Sequence, residues 1–314
     1  DTTDNGDKVF KVGMITDTGG VNDESFNQSA WEGLQQAQKD LNIEVKVIES
    51  KQASEYMSNI ESLIDEGMDL VIGVGNTMKD DIETEAKNYP EQKFAIIDET
   101  YESIPENVTP ILFKENEATF LTGLIAGKMT ETNEVGFIGG MENSVISRFE
   151  YGFKYGVKTA NKDANVKAQY AGTFSDAAKG KSVANQMYGN NVDIILSAAG
   201  GTGLGAIESA KENDKYAIGV DKDQSSLAPD NVLTSALKKV NVGVYDTVKE
   251  LVEGNLEGGK AKIYGLKEDG VGIPDSTEKL VSKEVLDYVN TMKEKVKNGE
   301  IKVPATKAEY DSTK

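Results

Sequence analysis

Asp17, Asp23, Phe26 and Asn27 stand close together in the stretch Lys11–Gly33, KVGMITDTGGVNDESFNQSAWEG. Two carboxylates repel an anion, so this is the wrong group of residues for a phosphate. Carboxylate, amide and aromatic ring together suit a neutral, flat ligand that carries hydroxyls. The plainer alternative is that Asp23 and Ser25 only cap a helix and Phe26 only packs. Two more acids end apolar runs: Asp98 closes KFAIID and Asp221 closes YAIGVD. A desolvated carboxylate at a strand end can accept two charge-assisted hydrogen bonds, as a diol would supply. A helix cap or an exposed loop acid is the competing role for each.

Further along, Gly200-Gly201-Thr202-Gly203-Leu204-Gly205 leads into a helix, and Asp221 follows about 20 residues on, the arrangement in which a dinucleotide fold grips ribose. The spacing does not match G-x-G-x-x-G, so a nicotinamide cofactor is not expected. Backbone amides at a helix start remain, with Gly200 and Gly201 also open to a pure turn role. Gly180-Lys181-Ser182 has the end of a phosphate-binding loop, but Ser175 stands where the loop requires glycine. Lys238 can donate to a ligand hydroxyl while balancing Asp221, or can simply be solvated. Arg148, the sole arginine, is placed to pair with an acid; beside it Phe149 either stacks a planar base opposite Phe26 or belongs to the core. No group of residues looks catalytic. The chain has no cysteine and no histidine, which excludes disulfides, zinc sites of the usual kind, thiol nucleophiles and histidine triads. A D-x-[DN]-x-[DN]-G calcium loop is absent.

These residues need strand ends to position them. Val12–Ile15 is too short for a helix and unbroken enough for a buried parallel strand. Further strands are expected at 45–48, 69–74, 93–98 and 108–113, with helices through Trp31, Ile60, Ile82 and the small-residue stretch Ala118–Met129 between or after them. Gly123 and Ala126 in that last helix allow a close neighbour. The pattern then restarts at EVGFIGG (134–140), with strands at 166–170, 192–197, 216–221 and 233–238 and helices through Phe153, over 179–188, after Gly205 and through Val248. Short extended pieces at 262–266 and 270–274 precede a closing helix over 280–297.

The reading is α/β: two lobes, each a doubly wound, mostly parallel sheet flanked by helices. Lobe 1 takes residues 9–113 plus about 239–266, and lobe 2 takes 114–238 plus about 267–314, after a polar tether over 1–8. The crossings are expected near Phe113–Glu117, Ala236–Lys239 and Tyr264–Gly272. Strand ends of both lobes would face a hinged cleft.

A length of 314 residues suits two domains of ordinary size. The formal charge of −19 argues against nucleic acid and against docking on anionic lipid. No segment approaches the roughly 18 apolar residues of a membrane span. The tether is expected to be the start of a mature form whose leader, or lipid-bearing first residue, lies ahead of it.

The D-x-G-G-x-N-D-x-S-F-N run Asp17–Asn27 resembles the basic membrane protein family of bacterial substrate-binding lipoproteins, the purine nucleoside receptor type. So do Gly73-Val74-Gly75, Tyr89-Pro90 with Phe94–Asp98, the Leu121–Gly127 helix, Val135–Gly140 with Arg148-Phe149, Gly200–Gly205 and Gly219–Asp223, across about residues 9–300. The resemblance implies a type I periplasmic-binding-protein fold, lipid-anchored outside the cytoplasmic membrane, that serves an ABC importer and binds guanosine, inosine or adenosine. It implies no enzyme activity, no cofactor, no metal and no nucleic-acid partner; a monomer is expected. By motif match Phe26 stacks the base, and Asp17, Asn27 and Asp98 bond its edge. Asp221 and Lys238 take the ribose hydroxyls with help from the Gly200-Gly201 amides, and Asp23 and Gly75 complete the set. A sugar receptor of the same fold, or a nucleoside hydrolase using Asp17, Asp23 and Asp98, are the rival readings. A transcriptional regulator would need a helix-turn-helix before residue 9, and none is there.

Overall fold

The computed structural model describes residues 8–314, so the expected tether lies, but for Lys8, outside the described residues. Strand and helix alternate from the start: β1 (Lys11–Ile15), α1 (Phe26–Leu41), β2 (Glu44–Ile48), α2 (Tyr56–Asp65), β3 (Leu70–Val74), α3 (Lys79–Asn88), β4 (Lys93–Ile97) and β5 (Val108–Phe113). The second series runs α4 (Glu115–Met129), β6 (Glu134–Gly139), α5 (Ser144–Ala160), β7 (Asn165–Tyr170), α6 (Ala177–Gly189), β8 (Ile194–Ala198), α7 (Gly201–Glu212), β9 (Tyr216–Asp221) and β10 (Val232–Lys238). The chain closes with α8 (Val240–Val252), β11 (Lys262–Tyr264), β12 (Val271–Gly272), α9 (Lys283–Lys297) and α10 (Lys307–Asp311).

The strands form two six-stranded sheets of the same order, β11-β5-β4-β3-β1-β2 and β12-β10-β9-β8-β6-β7. Pairing is parallel through β2-β1-β3-β4-β5 and through β7-β6-β8-β9-β10, while β12 is antiparallel to β10. Burial follows position in the sheet. The central strands β3 (LVIGV) and β8 (IILSA) are buried at every residue, as a parallel sheet covered on both faces requires. The edge strand β7 (NVKAQY) alternates exposed and half-buried residues.

Contacts divide the chain into two compact units. The first holds the described residues up to Asn22, Asn27–Leu112 and Val240–Ile263; the second holds Asp23–Phe26, Phe113–Lys239 and Tyr264–Lys314. The four residues Asp23–Phe26 fall in the second unit, where a continuous first lobe was expected. Their partners explain it: Gln224 Nε2 donates to the Glu24 carbonyl at 3.0 Å, Ser25 Oγ donates to the Asp221 carboxylate, and the Lys238 ammonium lies 5.0 Å from the Phe26 ring centre.

Within the second unit α4 is buried along almost its whole length and crosses α5 at very short range. A Cβ on Gly123 would sit 2.4 Å from the Phe153 carbonyl, and one on Gly156 would sit 2.2 Å from the Phe120 carbonyl. Only glycine permits backbones to approach so closely. The closing helix starts at Lys283 rather than at residue 280, because Ser282 accepts the Val285 N–H as its cap and residues 275–279 form a 3₁₀ turn instead.

Candidate ligand-binding site

In the first unit the candidate residues gather at the carboxyl ends of β1, β3 and β4, where open α/β sheets bind ligands. Asp17 and Asn27 hold one another. The Asn27 amide donates to Asp17 Oδ1 at 2.7 Å, and Asn27 Oδ1 accepts the Asp17 N–H at 3.2 Å. Asp17 Oδ1 also accepts the Gly19 N–H at 2.8 Å, which folds the loop back on itself. Asn27 is buried in the first turn of α1, so its amide is fixed by the helix while the aspartate is fixed by the amide. Gly75, directly after β3, has φ 117° and ψ 153°, a conformation open only to glycine. Asp98 follows β4 with φ 72°, buried, its N–H donating to the Ile111 carbonyl at 2.9 Å.

Tyr56 was not singled out from the sequence. It is buried in the same unit and hydrogen-bonded through its hydroxyl to Thr77 at 3.3 Å. Burial, reinforced by the negative charge of Asp17, raises its hydroxyl pKa, so it stays a neutral donor.

The second unit repeats this arrangement at β8, β9 and β10. Gly200 precedes α7 with φ 55° and ψ −134°, again glycine geometry. Asp221 ends β9 with φ 68° and is buried. Gln224 braces the turn that holds it there: Oε1 accepts the Val220 N–H at 2.9 Å, and the Gln224 N–H donates to Ser235 Oγ at 3.1 Å. Asp23 accepts the Ser25 N–H at 3.0 Å, closing a turn in the loop ahead of α1, which starts at Phe26. Ser25 turns its hydroxyl to Asp221 instead of to the helix.

Lys238 is 2% exposed and ends β10, one residue beyond the register partner of Asp221. Its ammonium lies 2.9 Å from Glu115 Oε1. It is also 5.0, 5.6 and 5.7 Å from the ring centres of Phe26, Phe113 and Phe149. A buried ammonium is tolerated because anion and ring faces replace the lost water. Glu115, fully buried, is bound again by Arg148, with Nε at 2.6 Å and Nη2 at 3.4 Å. Burial alone would raise the Glu115 pKa; the charges of Lys238 and Arg148 more than offset it and hold the carboxyl below its ordinary value.

Phe149 is only 3% exposed, packed where it walls the Lys238 ammonium. A different ring, Phe174, lies half-buried in the loop after β7, against Gly140 and Gly200. Its carbonyl accepts the Thr202 N–H at 3.1 Å, tying it to the start of α7. No periodicity marks it, since it sits in the polar run Thr173-Phe174-Ser175-Asp176; an aromatic isolated at a strand end is the one sequence signal it offers. Glu115 and Gln224 were missed as well; the expected helix began at Ala118, which left Glu115 in the connection before it. Among the described residues no group of three or more acids could hold a metal ion, and no helix is long and apolar enough to cross a membrane.

A family model described as ABC transporter substrate-binding protein, PnrA-like, matches residues 10–307. The chain is 40% identical over 319 residues to the ABC transporter nucleoside-binding protein BmpA of Lactococcus lactis, covering 94% of this chain and 89% of that protein. It is 41% identical over 312 residues to basic membrane protein A of Borreliella burgdorferi, covering 98% and 91% respectively. A crystal structure of an ABC transporter solute-binding protein from Aeropyrum pernix superposes with a TM-score of 0.88 at 30% identity, over 96% of each chain. The chain therefore belongs to the PnrA-like, basic membrane protein family of ABC transporter substrate-binding proteins, which are extracytoplasmic and of the periplasmic-binding-protein fold.

Proposed function

We propose that this protein captures a purine nucleoside and presents it to an ABC importer. The observation that carries this reading is the adjacency of Asp221 and Lys238 at the ends of paired strands, with the Phe26 ring against the ammonium. A carboxylate beside a cation can accept from one hydroxyl of a vicinal diol and donate to the next, and an aromatic ring beside them offers a face to a base. The many carboxylates favour a neutral nucleoside over a nucleotide. The printed name of the lactococcal relative, a nucleoside-binding protein, supports the same class.

Asp17, Asn27 and Asp98 take the base edge, with Gly75 shaping the loop beside them. Asp221 and Lys238 take the ribose, assisted by the Gly200 and Gly201 amides, with Asp23 supporting the Ser25 turn. Phe26 stacks the base. Phe149 is spent on Lys238, so the second stacking ring in this proposal is Phe174. The family's lipid anchor is proposed for the native protein; intact mass of the protein from its host, showing a diacylated N-terminus, would support it, and an unlipidated mature form would exclude it.

Native mass spectrometry of the purified protein tests the function, with identification of whatever is released on denaturation. A purine nucleoside at near-unit stoichiometry supports it. Isothermal titration with inosine, guanosine and ribose then decides between receptor types. Ribose binding as tightly as guanosine would overturn the nucleoside reading, and release of free base with ribose would point to turnover.

A further inference from the structure

Glu115 and Arg148 form an ion pair, and the second cationic contact of the buried Glu115 carboxylate is Lys238. We infer that Glu115, backed by Arg148, is the residue that sets preference for ribose over deoxyribose, by fixing the direction in which Lys238 donates. This rests on the nucleoside reading and deepens it, since it assigns the selectivity to a residue that need not touch the ligand.

The geometry argues for it in three steps. A lysine ammonium normally rotates and has no directional preference, so alone it reads charge rather than hydroxyl position. Here one N–H is committed to Glu115 at 2.9 Å, and three phenyl faces stand at 5.0 to 5.7 Å, which leaves few orientations to the ammonium. Glu115 cannot move to follow it. Its carboxylate is fully buried in the first turn of α4, where the helix dipole favours an anion, and the Arg148 guanidinium grips both oxygens from α5. Glu115 is thus a positioning residue: its carboxylate holds the Lys238 ammonium and its geometry aims it. The charged groups held together here are Lys238, Glu115 from α4 and Arg148 from α5, with Asp221 ending the strand paired to β10.

The test uses the full chain and two readouts. First, the lysine side-chain ¹⁵Nζ–¹H spectrum should contain one exchange-protected ammonium signal, assigned to Lys238 by its loss in Lys238→Met. Glu115→Gln should broaden or remove that signal. Second, Glu115→Gln should weaken inosine by about tenfold or more, while 2′,3′-dideoxyinosine changes by less than about twofold, because only the hydroxyl contacts depend on the aim of Lys238. An unchanged ammonium signal overturns the inference. So does a lost signal with inosine affinity intact, or an equal loss for both ligands, which would mark a merely structural role. Should Glu115→Gln fail to fold, Arg148→Gln removes the grip at a side chain 23% exposed and should give the same two changes at smaller size. A wild-type protein that binds neither ligand would sink the nucleoside reading instead, and the spectrum alone would then decide whether Glu115 holds Lys238.

Discussion

Asp98 and Asp221 occupy corresponding places in two different sheets: each stands at the carboxyl end of the third strand of its order, Asp98 just after β4 and Asp221 as the last residue of β9, and each holds a left-handed backbone, with φ of 72° and 68°. Non-glycine residues adopt that conformation at a cost of about 1–3 kcal/mol, and aspartate is among the few that tolerate it. The cost recurs because the turn brings a buried carboxylate to the strand end. Asn keeps the backbone preference and removes the charge. Asp221→Asn is therefore expected to leave the melting temperature nearly unchanged and to weaken nucleoside binding by about 2–4 kcal/mol. Calorimetric titration beside a thermal melt checks both halves; unchanged affinity removes Asp221 from the site.

The three phenylalanines should separate by assay. Phe149→Ala opens a cavity in a packed wall and is expected to cost about 3–5 kcal/mol of stability. Phe174→Ala, at a half-buried loop ring, should leave stability within about 1 kcal/mol and reduce nucleoside affinity through lost stacking. Phe26→Ala should reduce affinity comparably. Denaturant titration with and without inosine distinguishes the cases, and retained affinity in Phe174→Ala would return the second ring to the unassigned.

Gly140 offers an independent handle on Phe174. A Cβ there would lie 2.2 Å from the phenyl ring, so Gly140→Ala must displace it. Affinity for purine nucleosides should fall while the fold persists, because the ring sits in a loop and can swing away. The difference in inosine dissociation constant between Gly140→Ala and the unaltered chain reads this directly.

Acid stability carries the sign of Glu115. Its carboxyl is held below the ordinary 4.5, so the folded chain gains stability above that pH and loses it as the pH falls through the lowered value. Glu115→Gln leaves Lys238 and Arg148 uncompensated and should lower stability at neutral pH by about 3–5 kcal/mol. Below pH 4.5 the gap between the two proteins should narrow. Urea melts at a series of pH values measure it, and a gap that widened on acidification would contradict the ion pair.

The crossing of α4 and α5 leaves no room for a side chain at Gly123. In Gly123→Ala the new methyl meets the Phe153 carbonyl, which is backbone and cannot swing aside. A loss of about 1–3 kcal/mol or more is expected, with nucleoside affinity at low temperature unaffected. A stabilised Gly123→Ala would show that α4 and α5 have room to part.

Much of the frame was legible because buried parallel strands announce themselves. Runs such as LVIGV and IILSA are apolar throughout and short, and glycine loops punctuate them. The matching acids at 98 and 221 were legible for the same reason, as the last residues of such runs. The segment Asp23–Phe26 was not, since its grouping depends on Gln224, Asp221 and Lys238, which no local pattern connects to it. The Arg148 partner was expected as an acid without its number, and Glu115, ahead of the expected helix start at Ala118, carries no local pattern that announces its burial. The five-residue α10 has too little periodicity to be read from KAEYD.

The cage around Lys238 has a consequence for how the chain comes to be folded. Phe26, Phe113, Glu115, Arg148 and Phe149 are all synthesised before Lys238, and none can complete the cage until it arrives. Contacts that bridge most of a chain form slowly, because a long loop must close before they give anything back. Until that happens the two cationic partners of Glu115 are reduced to one, and the rings that will surround the ammonium lie against water. The cage around the ammonium therefore closes only once the chain has been made as far as residue 238.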